Sequence, residues 1–254
     1  METELDRRRK EKTDGVGGEY PDTITWSQEI ASEEVQLDHG AIQLVFAMAS
    51  LFTTSEALRQ ALLDICQHAE LVEPLRAEAT DAIATSGVSA AALANMHLLD
   101  SVLKESQRLG PPAIVGLERQ AVRDTTMPDG TLLPRGSIIA VDSCDMWDPT
   151  INTYPEKFDG YRYWKMREAG DIGTAFVSSS KEHNVFGMGK HICPGRFLAA
   201  VEIKLCLVHI LLKYDVRLRE GYQPTPIKNG LFQMVYPAAQ VEIRRRSVDF
   251  PIVL

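Results

Sequence analysis

Apolar residues in the first half of the chain recur three and four positions apart. This spacing predicts amphipathic helices over residues 36–51, 55–68, 74–84 and 90–109. Ser86-Gly87-Val88-Ser89 separates the last two, and Gly110-Pro111-Pro112 stops the fourth. The pattern then changes. Residues 114–122 alternate and are rich in β-branched side chains, Met127-Pro-Asp-Gly130 forms a turn signal, and residues 136–141 make a second strand, so a hairpin is predicted. Residues 143–185 read as irregular connections. The run 197–212 is apolar on nearly every side, which predicts a central helix. A final strand pair is predicted at 230–235 and 239–244. The expected class is mainly α with small β-sheets: a disordered polar lead over 1–20, then one portion over 21–254.

Composition narrows the function classes. The 254 residues are 44% hydrophobic and 24% charged, which is ordinary for a globular domain, and the net charge of −8 argues against a general nucleic-acid binder. Four cysteines, at 66, 144, 193 and 206, show neither C-x-x-C pairing nor zinc spacing, which points to a reduced, intracellular setting. Cys66 and Cys206 fall in helical apolar patterns and are expected to fill the core. The N-terminus has no apolar signal-peptide core, and the longest apolar stretch, 41–52, is too short to cross a bilayer, so no transmembrane segment is predicted. Without a G-x-S-x-G elbow, a hydrolase reading fails. His39, His68, His97, His183 and His209 share no ligand spacing and are expected to be surface or core residues.

One segment carries most of the chemistry. Phe186-Gly-Met-Gly-Lys-His-Ile-Cys-Pro-Gly195 places Cys193 among three glycines, after Lys190 and His191 and just before the central helix. Glycine lets backbone adopt positive φ and approach closely, and Pro194 suits a first helical position. The helix N-terminus then favours a thiolate and a metal-ligating sulfur. A buried structural cysteine in a tight turn is the competing reading.

This loop resembles the haem-binding segment of cytochromes P450, the haem-thiolate monooxygenases. Phe186, Gly189, Cys193 and Gly195 stand at the family's pattern positions, and His191 stands where a basic residue contacts a haem propionate. The resemblance implies haem b with Cys193 as the axial iron ligand, a thiolate whose electron density favours O–O cleavage.

Other residues gain meaning beside it. E-x-x-R occurs five times, starting at Glu4, Glu56, Glu73, Glu105 and Glu242, and is ordinarily a solvated pair. Glu105 differs because it shares a stripe with Leu98, Val102 and Leu109, and so points to the core, where a carboxylate needs partners. Arg108 is the near one. By resemblance Arg162, in Pro155-Glu-Lys-Phe158-Asp-Gly-Tyr-Arg162, completes a structural triad with Glu105 and Arg108. Arg119 matches a position that reaches a haem propionate, against the alternative of a surface strand arginine. Residues 113–116 would line the substrate pocket. Thr53 matches the hydroxyl that steadies bound dioxygen, although a threonine pair in an apolar helix is also a common core feature. Ser50 and Phe52 depart from the pattern there, and phenylalanine cannot relay a proton.

The resemblance runs from residue 26 to 245, and the form of the Cys193 loop is most similar to the fungal branch that oxidises terpenoid and other secondary metabolites. It implies a cytochrome P450 fold truncated on its N-terminal side. It also implies a monooxygenase that uses O2 and electrons from an NADPH-cytochrome P450 reductase on a small apolar substrate. Lys190, Arg196 and Lys204 could form a basic docking patch for that reductase, or could be ordinary solvated cations. Full-length relatives are expected at the endoplasmic reticulum membrane through an anchor absent here. Two alternatives stay open: a non-catalytic remnant with weak or no haem binding, and an O2-independent haem-thiolate isomerase or dehydratase.

Overall fold

A computed structural model describes residues 2–31 and 37–247. It divides into two compact units, residues 1–53 and 54–254.

In the first unit, α1 (Glu2–Thr13) occupies the lead expected to be disordered. Ion pairs one turn apart give it order: Arg7–Glu4 at 2.6 Å, Arg7–Glu11 at 2.5 Å and Arg8–Glu4 at 2.8 Å, with Arg8 also reaching Asp22 at 2.5 Å. Asp22 caps α2 (Thr23–Ile30) by accepting from the Ile24 and Thr25 amides. Asp38 does the same for α3 (His39–Ala47) through the Ala41 amide. A π-helical segment, Met48–Phe52, follows α3. Position 36, the expected start of this helix, lies outside the described residues.

The helical run extends over His39–Gln67, 29 residues, which is long and apolar enough by length and composition to cross a membrane. The sequence reading had measured only the unbroken apolar stretch within it. Leu44, Val45, Met48 and Leu51 on this run are exposed.

The second unit begins in α4 (Thr53–Gln67) and continues with α5 (Val72–Ser86), which ends at Gly87 with φ of +63°. The helix expected over 90–109 is two helices, α6 (Ala90–Ala94) and α7 (His97–Leu109). The break has a cause in α5: the Glu78 carboxylate accepts from the Leu98 and Leu99 amides at 2.6 and 2.9 Å, and so caps a new helix start. Burial, the largest influence, raises the Glu78 carboxyl pKa above its ordinary value, against these amide bonds, which lower it.

The predicted hairpin is present. β1 (Val115–Gln120) pairs antiparallel with β4 (Ile138–Asp142), with a bulge between Gly116 and Arg119. The short pair β2 (Thr125–Thr126) and β3 (Leu132–Leu133) lies between them in sequence. Within the stretch read as irregular, α8 (Arg162–Glu168) forms. Its first turn is tied to α7 because Ser101 Oγ accepts from the Trp164 amide at 3.0 Å and donates to the Gly160 carbonyl at 2.6 Å.

The central helix α9 (Arg196–Lys213) buries Ile203, Leu207, Val208 and Leu211 against Leu99, Val102 and Leu103 of α7 and Leu75 of α5. Cys206, expected in the core, is exposed, whereas Cys66 is half-buried and burial pushes its thiol up to about 11. The last strands pair differently from expectation. β5 (Tyr214–Leu218) takes β8 (Val241–Arg245), and β6 (Ile227–Asn229) takes β7 (Phe232–Met234). β5 follows α9 directly, a position the apolar run masked in the sequence. The architecture is mainly helical with small antiparallel sheets, as expected.

Candidate functional site

The segment around Cys193 is a closed loop. The Cys193 amide donates to the Phe186 carbonyl at 2.7 Å, and the Gly187 amide donates to Asn184 at 2.7 Å. Gly187 and Gly189 have φ of +74° and +64°, the left-handed region that glycine enters without strain. A Cβ on Gly187 would also lie 3.2 Å from the His191 carbonyl. Gly195 behaves differently. Its φ is −82°, and it caps α9 rather than making a left-handed turn. Cys193 itself is a half-buried free thiol at the head of α9, and its carbonyl accepts from Arg196 at 2.8 Å. Phe186 anchors the loop by packing edge-on against the buried Phe176, with ring centroids 5.2 Å apart.

Beside the loop lies a recess of about 660 Å³ that brings Arg119 of β1 to Met188 and Gly189. Leu117, Ile139 and Val141 supply apolar wall, and Asp129 also lines the recess. Arg119 is exposed, with one guanidinium nitrogen donating to its neighbour's carbonyl at 2.7 Å. His191 is exposed on the loop.

Sequence reasoning missed Leu117. It has φ of +54°, at the bulge between Gly116 and Arg119, and its Cδ2 would lie 3.8 Å from a Cβ on Gly187. A left-handed leucine costs about 1–2 kcal/mol, and here it coincides with the offset that sets Arg119. A lone leucine within a strand pattern gives no sequence signal of this.

Glu105 is fully buried, and every lone-pair direction is used. Oε1 accepts from Arg108 Nη2 at 2.8 Å and the Asp159 amide at 3.0 Å, Oε2 accepts from Arg108 Nε at 2.8 Å, and the Arg162 Nε–H is shared between Oε2 at 3.0 Å and Oε1 at 3.1 Å. The two guanidinium groups spend their remaining donors on the connecting loop. Arg108 reaches the Met146 and Pro155 carbonyls at 2.8 and 2.6 Å, and Arg162 reaches the Thr153 carbonyl at 2.9 Å. The structure thus brings Glu105, Arg108 and Arg162 together, and the network holds residues 146–162 against α7.

One expectation changes. Lys204 is buried, not part of a surface patch: its Nζ pairs with Asp100 at 2.7 Å and donates to the Leu93 carbonyl at 2.7 Å. A charge on an otherwise apolar helix was read as solvated, when α6 and α7 supply its partners. Thr53 is exposed at the boundary of the first unit, and its hydroxyl donates to the Ala49 carbonyl at 2.7 Å.

The match to known proteins covers most of the chain. The cytochrome P450 family model matches residues 28–244. The chain belongs to the cytochrome P450 family. A cytochrome P450 monooxygenase of Nectria sp (ntnM) is 43% identical over 230 residues, covering 90% of this chain and 44% of that protein. One of Aspergillus oryzae (hepE) is 41% identical, covering 97% and 46%. Cytochrome P450 monooxygenase 1 of Gibberella fujikuroi is 41% identical, covering 98% and 58%. The chain therefore spans about half the length of the curated P450 relatives it matches.

Membership in the P450 family implies a haem, and the residues present fit one. Among the described residues no group of three or more His, Cys, Asp or Glu side chains could hold a metal ion. The recess, which meets the Cys193 loop at Met188 and Gly189 and not at Cys193 itself, has an apolar wall and Arg119, a lining that suits a flat apolar group bearing carboxylates.

Proposed function

We propose that the protein is a haem-thiolate monooxygenase that inserts one atom of O2 into a small apolar substrate in secondary-metabolite biosynthesis. The observation that carries this reading is the free, half-buried Cys193 thiol at the head of α9, in a loop closed by the Cys193–Phe186 backbone bond. Haem b bound there would supply O2 binding and activation, with two electrons from NADPH through a reductase and the second oxygen atom leaving as water.

The chain's own residues divide the supporting work. Cys193, two residues before the Gly195 N-cap of α9, would supply the sulfur ligand to the iron. Phe186, Gly189 and Gly195 shape the backbone around the sulfur. Arg119 and His191 would bind the propionate carboxylates, Arg119 as a charge-assisted donor. Glu105, Arg108 and Arg162 act at a distance by fixing the connecting loop. Lys190 and Arg196 remain as the basic surface for a reductase, without Lys204. Thr53 enters on the family pattern, as a hydroxyl that would hold and pass a proton on the substrate side of the haem.

Haem-loaded protein supplied with a reductase and NADPH tests the reading against a panel of apolar terpenoid-like substrates. Oxygenated product that falls at least ten-fold on Thr53→Ala supports it. Rearranged or dehydrated product without O2 consumption would replace it with isomerase or dehydratase chemistry. Full haem loading with no turnover would leave the remnant reading.

A further inference from the structure

Lys104 precedes Glu105 on α7 and has no part in the triad, yet it is 3% exposed. Its Nζ donates to three backbone carbonyls: Gly173 at 2.9 Å, Ala175 at 3.1 Å and Ser178 at 2.8 Å. An ammonium has three N–H groups, so this one is fully used on a single loop. The acid one turn back, Asp100, is engaged by Lys204 at 2.7 Å. Burial pushes the Lys104 pKa down to about 8, against the Asp100 carboxylate, which raises it.

The clasped loop leads directly to the thiolate segment. Phe176, between the bonded carbonyls, is 1% exposed and packs on Phe186, whose carbonyl takes the Cys193 amide. Ser179, next along, donates to the Gly187 carbonyl at 2.6 Å, with the His183 carbonyl 3.2 Å from the same oxygen. His183 returns to α7, with Nε2 3.3 Å from the Lys104 carbonyl and its ring edge-on to Tyr163.

We propose that Lys104 is a positioning residue for the Cys193 loop. Its ammonium gathers the carbonyls of residues 173, 175 and 178, seats Phe176 against Phe186, and so fixes the backbone from which the sulfur projects. A neutral side chain would remove the donor shared by the Gly173 and Ser178 carbonyls and leave Ala175 only its bond from the Ser178 amide. A planar guanidinium cannot meet three converging carbonyls from the same point. The idea deepens the haem-thiolate reading and rests on it for its spectroscopic consequence, while its structural consequence is independent of haem.

Hydrogen exchange at the Cys193 and Gly187 amides of the purified chain tests the positioning. Lys104→Met is compared with Lys204→Met, which removes an equally buried cation bonded to α6 and α7. Lys104→Met should speed exchange at both amides by about ten-fold, and Lys204→Met by less than about two-fold. Equal acceleration in the two variants, or none in Lys104→Met, overturns the proposal. Should Lys104→Met fail to fold, Phe176→Leu reads the same path downstream: faster Cys193 exchange supports the path and unchanged exchange refutes it.

In haem-loaded protein, the reduced carbon-monoxide spectrum of Lys104→Met should shift from the thiolate-type band toward the displaced band, with Lys204→Met unchanged. An unshifted Lys104→Met spectrum contradicts the role. A thiolate-type band that survives Cys193→Ala removes the haem-ligand reading instead, and the exchange result then decides on Lys104 alone.

Discussion

Glu105 and Cys193 each stand at the centre of a short motif, but their surroundings differ in kind. Around Glu105 the chain completes the site itself: two arginines and a backbone amide occupy the carboxylate, and backbone carbonyls occupy the arginines. Around Cys193 the chain fixes the backbone and leaves the side chain. The loop's amide and carbonyl are bonded, the thiol is free, and an open recess with an exposed arginine lies alongside. The first arrangement is a finished scaffold. The second is a fixed backbone that presents a free side chain. A motif's chemistry is therefore read from what its polar atoms still lack.

The largest test of this contrast is Glu105→Ala. It leaves two arginines without their anion at a buried site, so urea unfolding should show a loss of about 3–5 kcal/mol. A loss below about 1 kcal/mol would mean the network is not the scaffold.

Next comes the acid response of His183, which links α7 to the loop before Cys193. Burial, then the Lys104 cation and more weakly Arg108, hold its imidazole pKa down to about 3 from an ordinary 6.5, against a raising bond from the Lys104 carbonyl. The Tyr163 ring faces it from α8. The unfolded chain takes up a proton near 6.5 while the folded chain resists until about 3, so this stability is complete above 6.5 and is lost as pH falls through that window. The stability gap between the wild type and His183→Phe should narrow progressively over that range. A gap independent of pH would contradict the burial of a neutral imidazole.

Smaller still, Cys193→Ala in the haem-free chain should change stability by less than about 1 kcal/mol, since a half-exposed thiol gives up little on truncation. A loss as large as that of Glu105→Ala would make Cys193 a structural residue. Least of all, Glu73→Ala, which breaks the same E-x-x-R spacing where the glutamate side chain is 76% exposed, should cost about 0.5 kcal/mol.

That last pair shows what the sequence could and could not convey. Glu4, Glu56, Glu73 and Glu105 all pair with the arginine three residues on, so the motif alone does not distinguish them. The apolar stripe through Leu98 and Val102 did single out Glu105, because helical spacing fixes which face is buried. The β1–β4 hairpin was legible for a similar reason, an alternating pattern joined by a turn.

What stayed hidden depends on partners distant in sequence. Lys204 is buried because Asp100 lies across from it, and α7 starts at His97 because Glu78 caps it from α5. The same holds for Lys104, whose three carbonyls lie about seventy residues on. The order of α1 was missed through composition: its charges suggested a solvated tail, whereas their one-turn spacing makes ion pairs. Strand pairing after α9 was misread because proximity in sequence suggested one hairpin where two separate pairs form.

The central claim is that the Cys193 loop is a frame for a haem whose iron takes the Cys193 sulfur. Its most direct test is the reduced, carbon-monoxide-bound spectrum of the haem-loaded chain beside that of Cys193→Ala. The account predicts a thiolate-type Soret band in the wild type that the substitution abolishes. Identical spectra from the two proteins would contradict it.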